Sequence, residues 1–151
     1  MVALANSGRD TVAAIRQAHE LGLPNGKTQV VALLFDISVV HALGLETAQG
    51  LRFVEPFYWD LNEGTRAFGR RFAERFKGRM PSQQQAGVYA QVLHYLKATR
   101  AAGTDVGPAV VAKMKLMPTD DPLFGKGYIR ADGRKVHPMY LFEVKSQAES
   151  K

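Results

Sequence analysis

The order of elements along this chain constrains its fold more than any other feature. Short apolar runs alternate with helical patterns at first, residues 61–116 then read as one helix after another, and two strand-like runs close the chain. A self-sufficient parallel sheet returns to a strand after each helix, so a long helical excursion is typical of one part of a larger two-lobed fold. The sequence therefore predicts an α/β chain in which some helices are built to cover a sheet that the chain itself does not contain.

Three segments follow from this order. Residues 1–57 are predicted to form a strand–helix–strand unit of flavodoxin- or Rossmann-like parallel strands with flanking helices, residues 58–118 a helical segment, and residues 119–151 the returning strands and tail. The nearly all-apolar second strand is typical of a parallel strand covered on both faces. The predicted strands are Val2–Ala5, Gln29–Phe35, Leu51–Phe57, Gly127–Ala131 and Met139–Val144, the last two joined as a hairpin through Asp132-Gly133.

Several helix boundaries are marked by side chains suited to capping. A capping box places two such residues three positions apart, and each satisfies a backbone N–H group of the other. This spacing occurs at Ser7 with Asp10, at Asp60 with Glu63, and at Ser82 with Gln85. Further along the chain, either Asp105 or Gly107-Pro108 is predicted to start the last helix, and Pro118 is predicted to end it.

The net charge of +6 is concentrated in residues 61–100, where eight Lys or Arg accompany two Glu. On the first helix of that segment the cations lie opposite a stripe of Leu and Phe, which indicates a solvated face rather than a nucleic-acid surface with aromatic rings between its cations. No apolar run reaches the roughly 18 residues that a membrane helix needs. We therefore expect neither nucleic-acid binding nor membrane insertion.

The sequence carries none of the common catalytic signatures. The phosphate-loop, dinucleotide-binding, nucleophile-elbow and HExxH zinc motifs are all missing, and there is no Cys. The four His lie on separate elements without metal-ligand spacing, and Asp120-Asp121 sits in a Pro-flanked loop where acids usually stay solvated. The expectation is a protein with no catalytic residues, no metal and no cofactor.

Two corners remain as candidate binding sites. Asn6, Ser7 and Gly8 follow the first strand at a helix start, where backbone N–H groups suit a small anion such as a carboxylate. After the second strand, Asp36 could accept from a ligand ammonium and Phe35 could line an apolar wall. Ends of adjacent parallel strands open into one crevice, so the corners should lie side by side. Simple helix capping is the alternative at each corner, by Ser7 at the first and by Asp36 or Ser38 at the second.

A succession of segments resembles the type I periplasmic solute-binding proteins of ABC transporters, in particular the group that binds leucine, isoleucine and valine. The first is the helix with residues 13–23, Ala-Ala-Ile-Arg-Gln-Ala-His-Glu-Leu-Gly-Leu. The others follow in the same order along almost the whole chain, at residues 47–51 and 55–60, 86–89 and 93–96, and 127–134 and 137–141.

The resemblance implies a C-terminal part of a longer, two-lobed periplasmic protein that delivers amino acids or related small carboxylates to ABC permease subunits. Residues 58–118 would then belong to the first lobe and the rest to the second. Carried over onto this chain, the ligand contacts of the second lobe fall on Ser7 and Gly8, and on Leu34 to Asp36. The helices over 61–116 would lack the sheet they cover, and each exposed large apolar side chain costs about 1.5–3 kcal/mol. We therefore expect a homodimer that completes the fold.

Three functional interpretations stay open at this point. The first is a binding module of a solute importer, which takes up a small molecule without turnover. The second is a structural or vestigial dimeric fragment that binds no ligand. The third is a small flavodoxin-like enzyme that binds a nucleotide or cofactor, although the missing phosphate-loop glycines speak against it.

Overall fold

The computed structural model describes residues 1–150, which form two compact units. Unit 1 contains Met1–Glu55 and the chain from Tyr140 onward, and unit 2 contains Pro56–Met139. The strands are β1 (Val2–Leu4), β2 (Val30–Ala32), β3 (Arg52–Glu55), β4 (Thr119–Asp121), β5 (Gly125–Ile129), β6 (Lys135–Val136) and β7 (Tyr140–Glu143). The helices are α1 (Gly8–Glu20), α2 (Ile37–Leu43), α3 (Leu45–Ala48), α4 (Glu63–Arg75), α5 (Gln83–Ala102) and α6 (Gly107–Leu116).

Unit 1 is built on a four-stranded sheet in the order β1-β2-β3-β7. The first three strands are parallel, as the strand–helix–strand prediction requires, and β7 runs antiparallel to β3. One hydrophobic cluster joins the sheet to its helices, with Ile15 of α1, Val30 and Phe53 of the strands, and Val40 of α2 among its buried members. The α/β class predicted from the sequence is confirmed.

The second strand is shorter than predicted. Val30 and Ala32 are buried, but the ladder ends there, and the side chains of Leu33 and Leu34 are 59% and 61% exposed. The expectation of a fully covered strand over Gln29–Phe35 is therefore wrong for its second half. At the other end of the unit, Pro56 limits β3 as predicted, because Pro cannot donate to a ladder.

Helix starts agree with the sequence at α5 and α6 and differ at α1 and α4. Ser82 and Gln85 form the predicted capping box, and α6 begins at Gly107-Pro108. At α4 the box is made by Asn62 and Thr65, with backbone-to-side-chain distances of 3.0 Å in both directions, and not by Asp60 and Glu63. Asp60 instead contacts Arg66 at 3.6 Å.

Unit 2 combines helices α4, α5 and α6 with a small antiparallel sheet in the order β4-β5-β6. Its core is largely aromatic, with Phe57 6.2 Å between ring centroids from both Phe68 and Phe124. Small residues bring α5 close to its neighbours, since Ala86 and Ala90 are almost fully buried. His94 is a buried core residue whose Nε2 lies 3.1 Å from the carbonyl oxygen of Met114 on α6.

The predicted pairing of the two closing strands is wrong. The turn at Asp132-Gly133 does form, but it joins β5 to the two-residue strand β6. The second predicted strand corresponds to β7, which pairs with β3 in unit 1, with Phe53 opposite Phe142. A local turn signal therefore identified the hairpin but not the strand that closes it, because the pairing of β7 depends on a contact about 90 residues away in sequence.

Helix α5 has apolar side chains on two opposite sides, and only one of them is buried. Ala86, Ala90, His94 and Ala98 face the core, whereas Val88, Val92, Tyr95 and Leu96 are 40% to 62% exposed. The latter four, called here the α5 apolar face, are spaced to form one stripe. Across the described residues 1–150, no helix combines the length and the apolar character needed to cross a membrane.

Candidate functional site

The candidate site lies at the carboxyl edge of the unit 1 sheet. β1 and β2 are paired in parallel from Val2 opposite Val30 to Leu4 opposite Ala32, and the amide of Leu33 donates to the carbonyl of Leu4 at 3.0 Å. β3 continues the sheet in the same direction. The segments that follow these three strands therefore emerge at one edge, and the sequence-based expectation that the two corners share an edge is confirmed.

At the first corner, Asn6 rather than Ser7 holds the start of α1. The Asn6 amide donates to the carbonyl of Asp10 at 3.3 Å, and the buried Thr11 hydroxyl donates to the Asn6 side-chain oxygen at 3.2 Å. Ser7 occupies the N-cap position, but its side chain makes no capping hydrogen bond, so the predicted box with Asp10 does not form. Gly8 has a positive φ of 59°, which favours glycine, and a Cβ added there would meet no atom within 4 Å.

At the second corner, Asp36 caps helix α2. Its Oδ1 accepts from the Ser38 amide at 2.7 Å and from the Ser38 hydroxyl at 2.5 Å. Phe35 is buried in the unit 1 core, with its ring centroid 4.9 Å from that of Phe53. The structure thus places an acid at this edge, and the aromatic ring of the preceding residue lies in the core.

Sequence reasoning missed a third residue at the same edge, Glu55. It is the last residue of β3, it is only 2% exposed, and its Oε1 has no hydrogen-bond partner. Burial, and after it the negative charge of Asp36, raise the pKa of Glu55 to about 8. The sequence held one signal of this placement, since Glu55 lies near the end of the predicted third strand, at the same edge as the two predicted corners.

One cavity of unit 1 lies away from this edge. An open cavity of about 450 Å³ in unit 1 lies beside Gln29, Gly50 and Arg52, and therefore at the amino ends of the parallel strands. It is lined by none of the predicted site residues, and ligands of open parallel sheets bind at the carboxyl ends. Within residues 1–150 no three His, Asp or Glu side chains are grouped so that they could hold a metal ion.

Comparison with known proteins agrees with the architecture of both units. The sequence model of the family described as periplasmic binding proteins matches residues 1–149. A periplasmic binding protein from Burkholderia mallei is 46% identical, with a TM-score of 0.90 over 99% of this chain and 39% of that chain. A branched chain amino acid ABC transporter periplasmic ligand-binding protein from Burkholderia xenovorans is 34% identical, with a TM-score of 0.88 over 99% and 40%.

A more distant structure shares the fold. The solute-binding protein of an ABC transporter from R. palustris, in complex with benzoate, is 23% identical, with a TM-score of 0.78 over 95% of this chain and 39% of that one. No curated protein matches the chain. The chain spans about two fifths of the length of the solved structures it matches. With its strands and flanking helices corresponding to part of the type I periplasmic binding fold, the chain belongs to the periplasmic binding protein family.

Proposed function

We propose that this chain is a solute-binding component of an ABC importer for amino acids or related small carboxylates, that it acts in the periplasm, and that it has no catalytic activity. The observation that supports this most directly is the placement of polar groups at the carboxyl ends of three neighbouring parallel strands, in a chain of the periplasmic binding protein family. Ligands of open parallel sheets bind at this edge.

Five residues are proposed to contact the solute. Asn6, Ser7 and Gly8 offer polar groups and a close backbone approach at the first corner, where the start of α1 supplies backbone N–H groups without a side-chain cap. Asp36 offers an acceptor for an ammonium group, and Phe35 provides an apolar floor behind it. The two corners together would then bind the carboxylate and the ammonium of one zwitterionic solute.

A finer proposal concerns the helices of residues 58–118 and the association of two copies of the chain. We propose that residues 58–118 carry helices that in longer relatives belong to the first lobe, and that this chain is a C-terminal piece of such a protein. The exposed α5 apolar face would then associate with the same face of a second copy, since isolated apolar patches of this kind mark interaction sites. In a full-length protein, closure of two lobes on the solute would present it to permease subunits.

A structural role without ligand binding is the second candidate. It is favoured by one observation, namely that at the second corner Asp36 caps helix α2, which is the structural alternative to ligand binding there. This candidate predicts the same dimer but no solute binding.

A thermal-shift panel separates the two candidates. The purified chain is melted with each of the twenty amino acids and with a set of small aromatic and aliphatic carboxylates. Solute binding predicts a rise in Tm that grows with solute concentration, because a ligand that binds only the folded state stabilises it. The control is Asp36→Asn, which should reduce the rise. An unchanged Tm across the panel would leave the structural role as the better account.

A further inference from the structure

The end of helix α4 in unit 2 carries four cations and one acid within nine residues. The cations are Arg71, Arg75, Lys77 and Arg79, the acid is Glu74, and all five residues are exposed. None of them forms an ion pair with another residue of the described chain, residues 1–150. An excess of positive charge is therefore presented to the surroundings at this end of the helix.

The arginines nearer the start of the same helix have acid partners. Arg66 lies 3.6 Å from Asp60 and 3.7 Å from Glu63. Arg70 lies 2.9 Å from the same Glu63. The first part of α4 is thus electrostatically compensated within the fold, whereas its end is not.

Two large apolar side chains lie among the unpaired cations. Phe76 is 49% exposed and Met80 is 42% exposed. Both are anchored on the helix, because the Phe76 ring centroid lies 5.2 Å from that of Phe72, and the sulfur of Met80 lies 3.5 Å from the position of a Cβ on Gly69. Single exposed apolar residues are ordinary on protein surfaces, but here they share one short segment with four cations. Residues 71–80 are called here the α4 tip.

The backbone of the α4 tip is folded back on the helix. The Gly78 amide donates to the carbonyl of Ala73 at 2.9 Å, and Lys77 and Gly78 both have positive φ, of 52° and 75°. A favourable interaction with the helix dipole accounts for Arg75, which lies in the last turn. It does not account for Lys77 and Arg79, which lie beyond the helix, so a purely structural reading leaves half of the cations unexplained.

We propose that the α4 tip is a docking site for an anionic lipid surface, to which the chain adsorbs without inserting a helix. The cations complement negatively charged lipid headgroups, and Phe76 and Met80 gain by entering the apolar boundary just below them. A hydrated polyanion such as an acidic protein segment would attract the cations but offer nothing to the apolar pair. The inference goes beyond solute binding and involves no residue of the unit 1 sheet edge.

The test is sedimentation of the whole chain with lipid vesicles. One set contains phosphatidylcholine alone, and the other contains phosphatidylcholine and phosphatidylglycerol in equal amounts. The chain should bind the anionic vesicles at low salt, lose them at about 0.5 M NaCl because exposed charges are screened, and not bind the neutral vesicles. Arg71→Gln combined with Arg75→Gln should weaken binding by about 30-fold, since each cation near such a surface contributes a factor of about five.

Matched variants separate docking from net charge and from folding. Arg66→Gln combined with Arg70→Gln removes the same charge from the same helix, and affinity should fall by no more than about threefold because these cations are already paired. Phe76→Ser should weaken binding by about 10-fold. Leu21→Ser, at a 79% exposed position of unit 1, should leave it unchanged. The Tm of each variant is measured beside the natural chain, so that a loss of folding is recognised.

Four results would overturn the inference. They are an absence of binding to anionic vesicles at low salt, an equal loss of affinity in the two double arginine variants, an unchanged affinity in Phe76→Ser, and binding of soluble poly-glutamate as tight as that of the anionic vesicles. The last result would assign the α4 tip to an acidic protein partner. Each leaves the proposed solute binding standing, because the vesicle measurements contain no solute and the variants leave the unit 1 sheet edge intact.

Discussion

At the scale of single residues, Glu55 shows why the surroundings of a side chain can be missed by an analysis of the sequence alone. Its neighbours Phe53 and Pro56 identify the strand and its end correctly, but the burial of the carboxyl and its closeness to Asp36 arise only when β2 and β3 are paired. Asn6 is a similar case. The sequence predicted it as one of three residues at the first corner, and only the structure shows that Asn6, and not Ser7, holds the first turn of α1 through its side chain.

Glu55 also makes the stability of the chain depend on pH. The pKa of this carboxyl is raised to about 8 in the folded chain from an ordinary value of 4.5. A raised folded pKa contributes stability that is fully present below the ordinary value and is lost as the pH rises through about 8. We therefore expect the free energy of unfolding of the natural chain to fall between these limits, and that of Glu55→Gln to fall much less.

Denaturant unfolding at about pH 5 and about pH 8.5 measures this difference. The two proteins should differ little at the lower pH, and the Gln variant should be the more stable at the higher one. Glu143→Gln, with its exposed side chain, serves as the control and should keep the slope of the natural chain. Parallel stability curves for the natural chain and Glu55→Gln would show that the carboxyl is not desolvated in the folded protein.

A second residue-scale prediction concerns Gly127 of β5. A Cβ built at this position would lie 2.1 Å from the carbonyl oxygen of Val136 and 2.8 Å from the hydroxyl of Thr119. Gly127→Ala must therefore move backbone of β6, at a cost of about 1–3 kcal/mol. Gly87→Ala is the matched control, because a Cβ there meets nothing within 4 Å and α5 gains about 0.5–1 kcal/mol from the better helix former. A neutral Gly127→Ala would mean that β5 and β6 are not paired as described.

At the scale of elements, two helix starts could be predicted from neighbouring residues alone. The Ser82–Gln85 box and the Gly107-Pro108 start were correct, because capping depends on residues within one turn. The box predicted at Asp60 and Glu63 was wrong because α4 starts two residues later, with Asn62 at its N-cap and Thr65 as the other member of the box. The partner of β7 could not be predicted from neighbouring residues, because β7 pairs with β3, which lies far away in the sequence.

The α5 apolar face leads to a testable prediction about the association of two copies. If the α5 apolar face forms the contact between two copies, Val92→Lys should place two unpaired charges in it and convert the dimer into a monomer. Gln91→Lys adds the same charge at the adjacent exposed position and should leave the dimer intact. Light scattering after size exclusion at micromolar concentration measures the mass, expected as twice 16.6 kDa for the natural chain and once for Val92→Lys. A natural chain with the mass of one copy would refute the homodimer.

At the scale of the whole molecule, the order of elements was the sequence feature that predicted the fold. A long helical excursion between parallel strands predicted part of a two-lobed fold, and the chain does match part of the type I periplasmic binding fold over about two fifths of its relatives. The sequence could not name a ligand, because the polar corners at the sheet edge suit either capping or binding. The relatives named above are described as binding proteins, two of them from ABC transporters.

Titration calorimetry of the purified chain with amino acids tests the central claim most directly. The account predicts saturable binding of at least one amino acid, at one site per chain, with a negative heat-capacity change from the apolar surface buried and with no product formed. Asp36→Asn should weaken that binding. A folded, dimeric chain that gives no heat with any amino acid or small carboxylate at millimolar concentration would contradict solute binding as its function.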